Sequence, residues 1–283
     1  MEFKKYDDIR KFVNENNKLI LQKEWLNNLM VGNINYGLEN GTDGWLMARV
    51  ENKGAIELII LLRRPWHLLL YSQTNNKSDE LYKFAAEAIY EVDKEIPGVN
   101  AEKEIANKFA KYYCDASGKD YKLHTPMRIL VINKLEKLEL KDDVTFRNAT
   151  LNDKEILIKF MQDFHAEALQ EEWSYEKAEE YLNEHMDGRY YVLEHNGKIV
   201  SQVVATRKLT KGKGIGGVYT PIEERGKGYA FNSVYRATKE QFDNGAEYCV
   251  LFTDDENPIS NHVYEKIGYK RMADVEDLDF FNK

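Results

Sequence analysis

The chain has 283 residues, of which 43% are hydrophobic, 12% aromatic and 31% charged, and it carries a net charge of −8 at neutral pH. That length exceeds what one hydrophobic core usually serves, so two compact units of an ordinary globular protein are expected. The acidic balance argues against non-specific nucleic-acid binding. The longest apolar run, residues 55–71, is broken by Glu57, Arg63, Arg64 and Pro65 before it reaches the length of a membrane span.

The N-terminus, MEFKKYDDIRKF, lacks both the apolar core of a secretory signal and the character of a transit peptide. Cys114 and Cys249 stand far apart in no metal-binding or disulfide pattern. A cytoplasmic protein with reduced thiols, no metal and no membrane partner is therefore expected. Two helices are predicted first, over about 5–14 and 19–31. Strands at WLMARV and AIELIILL follow across the turn ENKG, then a strand at WHLLLYS, a helix from Ser78, a helix from Asn100 and a closing strand around MRILVIN. The charged stretch NKLEKLELKDD, residues 133–143, places a boundary near 140.

The second half opens with a strand at VTFRNAT and a helix capped by Thr150 with Asp153 three residues on. A further helix is predicted from Ser174. Asn196-Gly197 between two runs of strand formers marks a tight hairpin. A third strand, GIGGVYT, leads into PIEERGKGYA and then a helix that stops at Asn244-Gly245. EYCVLFT is a buried strand, Asn257 and Pro258 start a helix that Gly268 ends, and a final strand pair reaches Phe281. The first half repeats this order of elements, but QTNNKSDE stands where the second half has PIEERGKGY.

That joint carries the chemistry. A helix N-terminus presents unpaired N–H groups and the positive end of its dipole, so it binds anions wherever the backbone is bare. Gly226 and Gly228 remove side chains there. Arg225 and Lys227 add charge, and the N–H groups from Gly226 through Tyr229 to Ala230 form a cradle suited to a diphosphate. A solvated basic turn is the plain alternative for such a loop taken alone. The nearby GKGIGG, residues 212–217, has dinucleotide-site spacing but precedes a strand end rather than a helix, so it is not read as a dinucleotide fingerprint.

Arg225, Gly228 and Ala230 fit the pattern Q/R-x-x-G-x-G/A, and Asn257, Tyr264, Gly268 and Tyr269 form a second motif: Asn, Tyr seven residues later, then Gly-Tyr. On these two motifs the second half resembles the GCN5-related N-acetyltransferase (GNAT) superfamily. The whole layout resembles its tandem members in which one copy is degenerate. The resemblance implies an α/β fold of two tandem domains, each a mixed, mostly antiparallel sheet flanked by helices: a degenerate copy over 1–140 and a catalytic one over 141–283. It implies acetyl-coenzyme A as cofactor, with Val218, Tyr219 and Thr220 along its pantetheine, Arg225–Ala230 around its diphosphate, and Asn257 and Asn261 on its amide arm. Tyr264 matches the general acid; a core tyrosine is the bland reading of the same residue.

The general base is not matched, because GIGGVYT contains no carboxylate. Asp254, at the mouth of the following strand, is the candidate base, with His165, Glu167, Glu171 and Glu172 bordering the acceptor side. The implied function is transfer of an acetyl group to a small-molecule amine by direct attack. A non-catalytic acyl-coenzyme A sensor is the alternative, and no basic tract supports an RNA partner.

Overall fold

The computed structural model describes residues 1–73, 78–168 and 171–283, and divides into two compact units. The first comprises Met1–Ile129, Thr253–Glu256 and Arg271–Lys283; the second comprises Leu130–Phe252 and Asn257–Lys270. The first half of the chain runs β1 (Glu2–Tyr6), α1 (Ile9–Ile20), α2 (Asn28–Asn40), β2 (Leu46–Asn52), β3 (Ala55–Leu62), β4 (Leu68–Tyr71), α3 (Asp79–Val92), β5 (Gly98–Glu102), α4 (Lys103–Ser117) and β6 (Asp120–Ile132). The second half runs β7 (Val144–Asn148), α5 (Lys154–Ala168), α6 (Tyr175–His185), β8 (Tyr190–His195), β9 (Lys198–Lys208), β10 (Gly212–Tyr219), α7 (Tyr229–Asp243), β11 (Tyr248–Asp254), α8 (Pro258–Ile267) and β12 (Lys270–Phe281). Apart from short 3-10 turns, the two halves repeat one order of elements. Of the segment QTNNKSDE, residues 74–77 lie outside the described residues.

Four sequence expectations change, the first being the helix predicted over about 19–31, which is instead the end of α1 at Ile20 and, after a break, α2 from Asn28 to Asn40. Glu2–Tyr6 is a strand pairing antiparallel with β2, and the helix expected from about residue 5 begins, as α1, only after Asp8, whose side chain accepts the Arg10 N–H. Asn100 lies inside β5 rather than opening a helix, because Val99 and Asn100 pair with Leu68 and Leu69 on one side and Leu278 and Asp277 on the other. The chain ends in one twelve-residue strand, not a strand pair. Residues Val275–Asp279 of that strand pair antiparallel with β5 and group with the first unit.

In the second unit the strands neighbour one another in the order β11-β10-β9-β8-β7; only the β10–β11 pair is parallel. Alternation along each strand sends successive side chains to opposite faces. Tyr191, Val203, Ala205, Ile215, Cys249 and Leu251 pack with Val234 of α7 and Tyr264 of α8. Tyr190, Val192 and Val204 meet Leu157, Ile158 and Met161 of α5 and Leu182 of α6. The sheet is thus clothed on both faces, and each fully buried aliphatic side chain contributes roughly 1.5–3 kcal/mol. Cys114 and Cys249 are free and buried, and burial pushes their thiols up to about 11 and about 12. No helix among the described residues is long and apolar enough to cross a membrane.

The expected caps are present. Thr150 and Asp153 form a reciprocal capping box, Ser174 caps α6, and Asn257 with Pro258 opens α8. Asp153 also receives Arg147 through two hydrogen bonds of 2.7 and 2.9 Å, and Arg147 holds Glu194 as well. The Arg147 guanidinium, followed by Thr150, holds the buried Asp153 carboxyl down at about 2. A carboxylate depressed on folding stabilises fully above its unfolded pKa and loses that contribution as pH falls through the folded one. Acid titration monitored by circular dichroism should therefore show roughly 2 kcal/mol lost between about pH 4 and about pH 2, and Asp153→Asn should flatten that limb.

Candidate functional site

The centre of the second unit is a place where two parallel strands part. β10 and β11 are in register at Gly212 and Tyr248, Lys213 and Cys249, and Gly214 and Val250, after which β10 continues to Tyr219 and β11 to Asp254. On its other side β10 stays with β9 but carries two residues, Gly217 and Val218, opposite the single Val203. Gly217 takes φ +55° at this bulge, and a Cβ there would collide with Val204. The glycines of GKGIGG are therefore packing glycines of a strand: a side chain at Gly214 would strike Thr206 and Arg207 of β9.

Beyond Tyr219 the chain turns through Ile222–Glu224 and reaches the predicted cradle. Gly226 and Gly228 adopt φ of +75° and +79°, and Gly228 is the N-cap of the fifteen-residue α7. A Cβ on Gly226 would project into open space. An exposed backbone turn thus faces outward at a helix N-terminus, with the N–H groups of the first turn lacking intrahelical acceptors. This is a fit for a diphosphate, whose oxygens need several converging donors and room.

Residues 155–269 match the model of the acetyltransferase (GNAT) family. Over that span the chain is similar to the GNAT family. No curated protein matches the chain by sequence. A GNAT-family acetyltransferase from Colwellia psychrerythraea aligns over 100% of both chains with a TM-score of 0.60 at 14% identity. A GCN5-related N-acetyltransferase from Sphaerobacter thermophilus aligns over 88% of this chain and 86% of its own, with a TM-score of 0.61 at 13% identity. A tandem GNAT protein from the clavulanic acid biosynthesis pathway covers 99% of this chain and 98% of its own, with a TM-score of 0.58 at 11% identity. At these identities the likeness is one of fold.

The loop holds its charges in pairs. Arg225 donates through Nε to the Thr220 carbonyl at 2.9 Å, and its Nη2 lies 2.5 Å from Glu167 of α5. Lys227 donates to the Glu223 carbonyl and to Glu224, each at 2.9 Å, and Lys198 holds the other oxygen of Glu224 at 2.8 Å. Lys198 first and Lys227 second draw the Glu224 carboxyl down to about 2. A diphosphate held as the sequence leads one to expect would compete with Glu167 for Arg225. Glu167→Gln should therefore tighten coenzyme A binding, by up to about five-fold given the ~0.2–1 kcal/mol of an exposed pair, with the gain shrinking at high salt. Calorimetric titration at two salt concentrations checks this.

The other predicted residues divide by where their side chains go. Val218 packs against the cluster that contains Tyr264. The Tyr219 ring lies on Phe160 at 5.2 Å between centroids, and its one hydroxyl proton is shared between Asp163 at 3.3 Å and Glu167 at 3.2 Å, leaving only its backbone for a cofactor. Burial, then Asp163 and Glu167, raise the pKa of that phenol. Tyr229 is buried, so it too offers only its N–H.

Asn257 spends its Oδ1 on the Ser260 N–H, and Asn261 is buried on α8. Tyr264 is 8% exposed, stands edge-on to Tyr269, and is pushed by burial up to about 12. Its phenol stays protonated through neutral pH. Asp254 groups with the first unit, where its Oδ1 accepts the Glu256 N–H at 2.8 Å.

Of the residues named on the acceptor side, Glu167 meets Tyr219 and Arg225, and His165 has other partners. His165 stacks on Trp173 at 3.6 Å with Nδ1 3.3 Å from Glu171. Burial lowers its pKa despite Glu171. Asp163 escaped the sequence reading, although its i,i+4 spacing from Glu167 puts both on one helix face. Ser201 and Gln202 of β9 were also missed. Ser201 donates to the Tyr219 carbonyl at 3.1 Å and Gln202 Nε2 to the Gly217 carbonyl at 3.1 Å.

Proposed function

We propose that this protein is an N-acetyltransferase that moves the acetyl group of acetyl-coenzyme A to the amine of a small molecule. The observation that carries the reading is the continuity from the parted strands β10 and β11, through the bulge at Gly217, into the bare N-terminal turn of α7. The gap accommodates an extended pantetheine beside β10, and the turn from Arg225 to Ala230 accommodates the diphosphate. Acetyl-coenzyme A supplies the acetyl group activated as a thioester. The catalytic domain in this reading is 141–283, and 1–140 is a degenerate copy without the anion loop.

Each side chain then has a defined task. Backbone groups of Val218 and Thr220 align the pantetheine, and Asn257 and Asn261 face its amide arm. The amine nitrogen bonds to the acetyl carbon as the carbon–sulfur bond breaks. Tyr264, protonated at neutral pH, gives its proton to the departing thiolate. The proton leaving the amine passes to a carboxylate, with Asp254 the candidate base from the sequence. Asp163 and Glu167, together beside Tyr219, favour a cationic acceptor through their negative charge.

Release of free thiol from acetyl-coenzyme A against a panel of amines, polyamines, aminoglycosides and peptide N-termini tests the proposal. Turnover with at least one member supports it. Cofactor binding with every acceptor silent favours the sensor reading.

A further inference from the structure

The bulge at Gly217 is held from β9 by two polar side chains that the core has buried. Ser201 is fully buried and Gln202 is 2% exposed. They leave β9 on opposite faces and grip two carbonyls of the irregular stretch: Ser201 Oγ donates to the Tyr219 carbonyl, and Gln202 Nε2 donates to the Gly217 carbonyl. A buried Gln satisfies only part of its amide here, since its Oε1 has no hydrogen-bond partner among the described residues. Leaving such an atom unpaired costs about 1–3 kcal/mol. An apolar residue would suit the neighbouring Val192 and Val204 better, so the amide donor has a role other than filling space.

That role follows from the planarity of the peptide unit. In a trans peptide the carbonyl of one residue and the N–H of the next point in opposite directions. Gln202 draws the Gly217 carbonyl toward β9, so the Val218 N–H is turned away from β9, to the side on which β10 has parted from β11. The positive φ of Gly217 is what permits this orientation within the strand.

We infer that Gln202 is a positioning residue. By fixing the Gly217–Val218 peptide it aims the Val218 N–H into the gap, where that group donates to the thioester carbonyl oxygen as negative charge builds on it. Gln202 touches neither cofactor nor acceptor. The inference rests on the proposed acetyl-coenzyme A site and adds to it the reason one strand N–H is available there.

The test uses the intact protein with acetyl-coenzyme A labelled with carbon-13 at the acetyl carbonyl, read by isotope-edited infrared spectroscopy. A donor on the carbonyl lowers its stretching frequency. In wild type the bound band should lie below that of the free thioester. In Gln202→Leu it should move back toward the free value, and slow hydrolysis of the thioester by water should fall about ten-fold or more, with coenzyme A affinity within about two-fold of wild type.

Gln202→Glu provides an independent readout. Its neutral carboxyl can donate to the Gly217 carbonyl as the amide does, whereas the ionised form repels it. The lowered band should therefore return as pH falls through the pKa of that buried carboxyl, a dependence that a purely structural role does not produce. A Gln202→Leu protein that binds acetyl-coenzyme A with the wild-type band overturns the inference, as does a pH-independent band in Gln202→Glu. If wild type takes up no acetyl-coenzyme A at all, it is the proposed function that fails.

Discussion

Gly226→Ala should lower coenzyme A affinity about a hundred-fold or more, close to 2.7 kcal/mol, while the protein keeps its fold. Gly226 has φ +75°, where an L side chain costs roughly 1–2 kcal/mol, a loss that a typical domain survives. Its Cβ would meet no neighbouring atom, so nothing in the protein resists the methyl group. On the proposed reading, the methyl group enters the space that the diphosphate takes. Gly245 provides the control: it has φ +90° and equally open surroundings, but it follows the C-terminus of α7 rather than preceding its N-terminus. Gly245→Ala should cost similar stability and leave coenzyme A binding intact. Equal effects of the two substitutions on binding would show that backbone strain, not the cradle, is responsible.

Tyr264→Phe should reduce turnover of an identified acceptor about 10²–10⁴-fold with cofactor affinity within about two-fold of wild type. The substitution removes one oxygen and keeps the ring that packs with Tyr269 and the α7 side of the sheet, so folding is preserved. Burial holds the phenol at about 12, so in wild type it remains protonated across the physiological range. Any loss of activity below about pH 10 belongs to another group. A variant that turns over at the wild-type rate would return Tyr264 to the core and require a different source for the proton.

How far the sequence discloses this protein depends on the range of the interactions involved. Caps and tight turns are local, and they are legible: Thr150 with Asp153, Ser174, Asn257 with Pro258, and the hairpin in which Asn196 and Gly197 both take positive φ. The cradle is legible for the same reason, because the glycines and the helix start that create it are adjacent in the chain. β1 is not, since EFKKY has the composition of a charged helix start and becomes a strand only through pairing with β2. β5 is hidden in the same way, with Asn100 offering a plausible helix cap until strands on both sides claim it.

The site shows the same division. Arg225 and Tyr264 fall in short motifs, but the carboxylate that holds Arg225 lies 58 residues earlier on α5. Tyr219 reads as a strand residue, yet the destination of its hydroxyl depends on which face of α5 the fold turns toward β10. Gln202 looks like one polar residue in an apolar strand, SQVVA. Its contact with the Gly217 carbonyl exists only because β9 and β10 slip register at the bulge.

The central claim is that the bare backbone at the start of α7 receives a diphosphate attached to a thiol-bearing arm. Isothermal titration calorimetry of the intact protein with coenzyme A tests it most directly. The account predicts saturable binding of one equivalent that Gly226→Ala weakens about a hundred-fold or more and Gly245→Ala leaves intact. Absence of any saturable heat with coenzyme A or acetyl-coenzyme A at millimolar concentration would contradict it.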